Sequence, residues 1–220
     1  MPKSAPRDPS SSGCCAIPAR KSNSLPPVTQ ALLGANILIY LAGEYGGMGL
    51  GQFALWPPGG LDSNFAPWQV VTYAFLHGSF SHIFFNMLAL YMFGGEIERL
   101  FGSRYFLLFY LASVVTAAIT HLVITSLMGS PPVPMVGASG GIYGLLLAYG
   151  MYFPHRRIML LIPPIPMQAR TFVVVFAVIE LALGVTQTAA GVAHFAHLGG
   201  MLGGFLMIQY RRGRFPFGVK

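Results

Sequence analysis

The sequence predicts an all-α membrane protein, a bundle of six transmembrane helices with both termini in the cytoplasm, and three observations carry that expectation. The 220 residues are 54% hydrophobic and only 9% charged, and the mean hydropathy is +0.62, far too apolar for an ordinary soluble domain. Apolar stretches long enough to cross roughly 30 Å of hydrocarbon recur near 29–50, 78–97, 104–127, 138–153, 171–188 and 193–210. All 13 Lys and Arg fall before the first stretch, between the second and third, between the fourth and fifth, or after the sixth. Basic loops stay in the cytoplasm, so this distribution fixes the orientation. The net charge of +7 then reflects topology and anionic headgroups, which makes the lipid bilayer a partner and excludes a nucleic-acid role.

Residues 1–28, rich in Ser, Pro and charge, are expected to form a disordered cytoplasmic tail, with 29–212 the helical domain and 213–220 a second short tail. The first apolar run begins too late for a cleavable signal and is expected to act as a signal anchor. Cys14 and Cys15 are adjacent in the tail and make no disulfide framework. An external loop of about 51–77 carries Trp56 and Trp68, a composition suited to the bilayer interface.

The second stretch opens on His77 and places His82 four residues before Asn86, one helical turn apart and on one face. The fourth stretch carries Gly137-Ala138-Ser139-Gly140 and Tyr143, and the sixth carries Ala196-His197-Leu198-Gly199-Gly200. Polar groups are costly in hydrocarbon and are functional candidates by default. Counting 1.5 Å per residue from the cytoplasmic ends, Ser139 and His197 rise roughly 21 Å and Asn86 roughly 20 Å. Three polar residues from three stretches thus converge at one height. Gly140 with Gly144, Gly199 with Gly203 and Gly200 with Gly204 form small-xxx-small pairs that permit the fourth and sixth helices to approach closely.

In order along 29–212, these residues resemble the rhomboid family of intramembrane serine proteases: Trp68 and Thr72, the His77, His82 and Asn86 cluster, Gly94-Gly95 with Glu98, the Gly-Ala-Ser-Gly run with Tyr143, and Ala-His-Leu-Gly-Gly. The resemblance implies a six-helix rhomboid protease domain in which Ser139 is the nucleophile and His197 the general base of a dyad. It also implies that Tyr143 packs on the His197 ring, that Gly137 and Gly140 support the motif, and that His82, Asn86 and the Ser139 N–H form an oxyanion hole. The expected substrates are transmembrane segments of other proteins, cut near their outer end. No metal or organic cofactor is needed for that chemistry. A multi-pass protein of a bacterial inner membrane is expected, with an organellar membrane left open.

The family's usual Trp-Arg reads Trp68-Gln69 here, which puts the bonding of the external loop in question. Glu180, the carboxylate within a later stretch, adjoins neither motif along the chain; it is expected to pair within the bundle or face a cavity, with no assigned role. Glu98 is expected to brace a cytoplasmic turn with a nearby arginine. Two other functions stay open on the sequence: a metal or haem protein using His77, His82, His194 and His197, and a client-binding relative that does not cut.

Overall fold

The computed structural model describes residues 24–58, 64–129, 133–160, 164–186 and 194–214. Most of the expected N-terminal tail, both cysteines and the end of the C-terminal tail lie outside the described residues. Helices occupy all six apolar stretches: α1 (Pro27–Glu44), a second helix built from α3 (Phe80–Ala89) and α4 (Gly95–Phe101) joined by a π-helical turn at Leu90–Gly94, α5 (Ser103–Met128), α6 (Ser139–Tyr152), α7 (Ala169–Thr186) and α8 (His194–Arg211). The loop between α1 and α3 contributes the single-turn α2 (Gln69–Thr72) with 3₁₀ turns at Leu50–Phe53 and Tyr73–Phe75. A short antiparallel hairpin, β1 (Arg157–Met159) against β2 (Pro166–Gln168), pairs Ile158 with Met167 between α6 and α7.

The arrangement is apolar outside and partly polar within. Leu38, Leu108, Val123, Val174, Val178 and Val185 are exposed, while Asn36, Gln69, Asn86, Glu98, Glu180 and His194 are buried. Water would penalise such an exterior, whereas lipid tails match it. By length and composition alone, α5 and α7 are sufficient to cross a membrane.

Local chemistry explains where the elements begin and end. Pro27 opens α1, where its missing N–H costs nothing. Two of the orphan donors at that end are satisfied from across the bundle: Glu98 accepts from the backbone N–H of Val28 (3.0 Å) and of Thr29 (2.7 Å), and also from the hydroxyls of Thr29 and Ser103. The expected bracing role of Glu98 therefore has different partners, a helix N-terminus and a serine in place of an arginine; the neighbouring Arg99 binds the Ser24 carbonyl. At Gly102 the chain separates α4 from α5 with φ of 79°, a conformation open to glycine. Ser79 caps α3 by accepting from the His82 N–H at 3.2 Å.

Helix α5 is the central post, with Phe106, Phe109, Tyr110, Val114 and Ala117 buried, and α6 and α8 pack on it and on each other. The α6–α8 contact is backbone on backbone. A β-carbon on Gly200 would collide with the Gly140 carbonyl oxygen, and one on Gly204 would lie 3.0 Å from the Gly144 Cα. The second glycine pair of α8 faces elsewhere: Gly199 and Gly203 meet Thr120 and Thr116 of α5. One helix thus uses two glycine faces against two neighbours.

Gly200→Ala must push α6 from α8 and is expected to cost about 1–3 kcal/mol or more, the range for overpacking. Gly34→Ala in α1, where nothing lies within 4 Å of the added carbon, is expected to be neutral or stabilising by up to about 1 kcal/mol. Thermal denaturation in detergent measures both, and equal midpoints for the two variants would contradict the backbone contact.

Candidate active site

Helix α6 begins at Ser139, so the Ser139 N–H lies in the first turn and takes no part in the helix's own ladder, whose first bond runs from Ile142 N to Ala138 O. Two tethers fix this start. Leu55 and Met135 exchange a pair of backbone bonds of 2.9 Å, and the Gly137 N–H donates to the Tyr73 carbonyl at 3.0 Å. Tyr73 is itself anchored by its hydroxyl on the Val114 carbonyl of α5 at 2.8 Å. Gly137 has φ of 128°, and a side chain there would meet the His82 ring at 2.7 Å, so glycine is needed for conformation and for space.

The glycine contact brings α8 close enough for His197 Nε2 to lie 2.8 Å from Ser139 Oγ. Tyr143, one turn beyond Ser139, stacks on the His197 ring at 4.2 Å between centroids and 4° between planes. The His82 imidazole lies against Gly137, where an added Cβ would meet both its ring at 2.7 Å and the Ser139 hydroxyl at 3.7 Å. Asn86 is buried, and its Nδ2 has no acceptor among the described residues. An unused buried donor is costly unless something arrives to accept from it. The expected residues Ser139, His197, Tyr143, His82, Gly137 and Gly140 are thus brought together, and Asn86 follows His82 one turn deeper on α3.

Glu180 changes the expectation that no carboxylate adjoins the motifs. It does pair within the bundle, but with the site itself. The Tyr143 hydroxyl donates to Glu180 Oε1, Oε2 lies 2.7 Å from His194 Nδ1, and the same Oε2 lies 3.0 Å from His197 Nδ1. The approach to His197 is off the axis of an aligned hydrogen bond, since His197 Nδ1 has no hydrogen-bond partner among the described residues. A lone carboxylate in an apolar helix signals such a role, but its partners come from α6 and α8 and the spacing along the chain does not reveal them.

Glu180, His194 and His197 offer ligand atoms within 4.8 Å of one another, enough to hold a divalent cation. His77 and His82 are not members of that group and instead meet edge to face, with ring centroids 5.0 Å apart. The four-histidine centre considered on the sequence is therefore not assembled among the described residues. Burial, and secondarily the neighbouring His82, hold the His77 imidazole down at about 4.

The loop between α1 and α3 is bonded internally without an arginine at position 69. Gln69 is buried; its Oε1 accepts from the Trp56 N–H at 3.1 Å, and its Nε2 donates to the carbonyls of Gln52 (3.0 Å) and Asn64 (2.8 Å). One neutral amide thus joins three parts of the loop. Thr72 adds a bond from its hydroxyl to the Phe53 carbonyl at 2.8 Å.

A helical bundle with an apolar exterior and a serine hydrogen-bonded to a histidine across two interior helices defines a class of intramembrane site. A family model described as the Rhomboid domain matches residues 64–214, and this chain belongs to the rhomboid family. It is 30% identical to the rhomboid protease GluP of Bacillus subtilis over 187 residues, covering 83% of this chain and 34% of that protein. It is 29% identical to the rhomboid protease GlpG of Haemophilus influenzae over 181 residues, 81% of this chain and 88% of that protein. With the mitochondrial Rhomboid protein 1 of Saccharomyces cerevisiae it shares 32% identity over 150 residues, 64% of this chain and 41% of that protein. The chain thus spans about a third of the length of GluP and about two fifths of the yeast protein.

Gln69→Ala removes three part-buried hydrogen bonds from the loop, with the Gln52 carbonyl keeping the Trp68 indole N–H at 3.4 Å, and is expected to cost about 1–3 kcal/mol, seen as a lowered thermal midpoint. His77 gives stability a pH dependence of definite sign. Its folded value of about 4 lies below the ordinary 6.5, so the unfolded chain takes up the proton first and stability falls as pH drops from about 6.5 toward about 4. His77→Gln is expected to flatten that part of a pH series of thermal midpoints.

Proposed function

We propose that this chain is an intramembrane serine endopeptidase that cuts transmembrane segments of other membrane proteins near their outer end. The single observation that carries the reading is the 2.8 Å contact between Ser139 Oγ and His197 Nε2, made between α6 and α8. A serine hydroxyl is a weak nucleophile until a base takes its proton, and this distance lies within the reach that transfer requires.

In the proposed reaction the Ser139 proton passes to His197 Nε2 as Oγ bonds to the scissile carbonyl carbon. The carbonyl oxygen gathers negative charge and is met by the Ser139 N–H, Asn86 Nδ2 and the His82 ring. His197 then gives the proton to the leaving amine as the C–N bond breaks. Water, deprotonated by His197, attacks the acyl-serine, and the collapsing intermediate releases the new carboxyl end and returns the proton to Ser139. Tyr143 keeps the His197 ring in plane throughout. The short α6 of 14 residues, about 21 Å long, supports a nucleophile set below the outer surface of the bilayer, in a cavity that water reaches.

The topology proposed is six spans with cytoplasmic termini, supported by helices in all six apolar stretches and by the one-sided Lys and Arg. A multi-pass location in a bacterial inner membrane fits that topology, and relatives are found in bacteria and in mitochondria.

The test is cleavage of a tagged single-span protein in liposomes, together with fluorophosphonate labelling of the purified chain. The parent is expected to cleave and to label on Ser139, with Ser139→Ala abolishing both and His197→Ala lowering both by at least about 10³-fold. Cleavage that survives Ser139→Ala, or a parent that neither cleaves nor labels, overturns the reading.

A further inference from the structure

The geometry points to Glu180 of α7 as a positioning residue for the His197 base, which gives this chain a Ser-His-Glu relay of contacts in place of a bare dyad; the inference rests on the reading of Ser139 and His197 above. His197 has two ring nitrogens, and Nε2 faces the serine hydroxyl. To take the serine proton, Nε2 must be the unprotonated nitrogen, which places the ring hydrogen on Nδ1. The Glu180 Oε2 carboxylate oxygen lies 3.0 Å from that nitrogen, so it favours the tautomer the reaction needs. When His197 accepts the second proton, the same carboxylate faces the new cation across low-dielectric surroundings, where the pairing matters most.

Two contacts and burial hold Glu180 in that position. Tyr143 binds Oε1 with its hydroxyl while its ring lies flat on His197, so one residue fixes both the carboxylate and the imidazole it serves. His194 Nδ1 lies 2.7 Å from Oε2 and is set on the same helix as His197, one turn earlier. The carboxylate is itself buried, in a helix whose outer face carries Val174, Val178, Leu181 and Val185. The 3.0 Å contact is off-axis in the resting protein, and catalytic hydrogen bonds of this kind tighten when substrate binds and charge develops.

The alternative is a purely architectural role, with Glu180 fastening α7 to α8 through His194. Kinetics separate the two. Glu180→Gln preserves size and burial but removes the charge and admits the wrong tautomer, because its amide is able to donate toward Nδ1. In the full-length protein it is expected to lower kcat on the order of 10²-fold, with KM within about twofold and an unchanged thermal midpoint. The rate of Ser139 labelling by fluorophosphonate falls in parallel. Glu180→Asp keeps the charge on a shorter arm and is expected to recover at least about tenfold of that loss. Parent-like kcat and labelling in Glu180→Gln overturn the inference and leave the Ser139–His197 reading intact. So does a Glu180→Asp variant that is folded yet no faster than Glu180→Gln. A parent that fails to label or cleave overturns the reading itself.

Discussion

Among the described residues, the closest approach of one backbone to another at a glycine is that of α6 and α8, at Gly140 and Gly200. No side chain can occupy that contact, and everything chemical follows from it. With the helix axes so near, a short hydroxyl on one helix and an imidazole on the next reach 2.8 Å without distortion. Any residue larger than glycine at the crossing would lengthen that distance before it touched the site. Helix association within lipid lacks a hydrophobic drive and depends on such close packing, so one set of glycines serves both assembly and alignment.

Around this crossing the polar groups form a connected set. Ser139 meets His197, His197 lies under Tyr143 and beside Glu180, and Glu180 also meets Tyr143 and His194. Buried networks of this kind are costly when incomplete and specify a single arrangement when satisfied. Among the described residues, atoms without a hydrogen-bond partner are His197 Nδ1 and His194 Nε2 within this set and, on the α3 side, Asn86 Nδ2. In the proposed reaction the Asn86 donor is used only when an oxyanion forms, which is the differential interaction that lowers a barrier.

Much of this was legible because hydrocarbon enforces long apolar runs. The fourth run, 138–153, matches α6 to within one residue at each end, and the sixth matches α8 similarly. The first run overshoots: α1 stops at Glu44 because Gly46 and Gly47, the latter with φ of 63°, turn the chain, while hydropathy alone continues to 50. The β1–β2 hairpin escaped notice since three-residue strands carry no usable period. Ser139, His197, His82 and Asn86 could be named from local spacing, whereas the partners of Glu180 and Glu98 could not. Each of those carboxylates is paired through tertiary packing with residues remote in sequence, and a single chain without its fold holds no signal for such distances. Gln69 illustrates the converse: its departure from the usual arginine was visible, but the three bonds that compensate for it depend on how the loop closes.

Glu98 has a further consequence, which concerns time. Helix α1, made before α4, starts with donors whose acceptor lies 69 and 70 residues later in the chain. Until α4 has emerged and turned at Gly102, the N-terminal end of α1 has only water or headgroups to satisfy it. The hydrogen bonding at that end is therefore completed retrospectively, by the arrival of a carboxylate. Synthesis order and locking order run in opposite directions at this corner of the bundle, and a helix made before α4 is fastened only once α4 is in place.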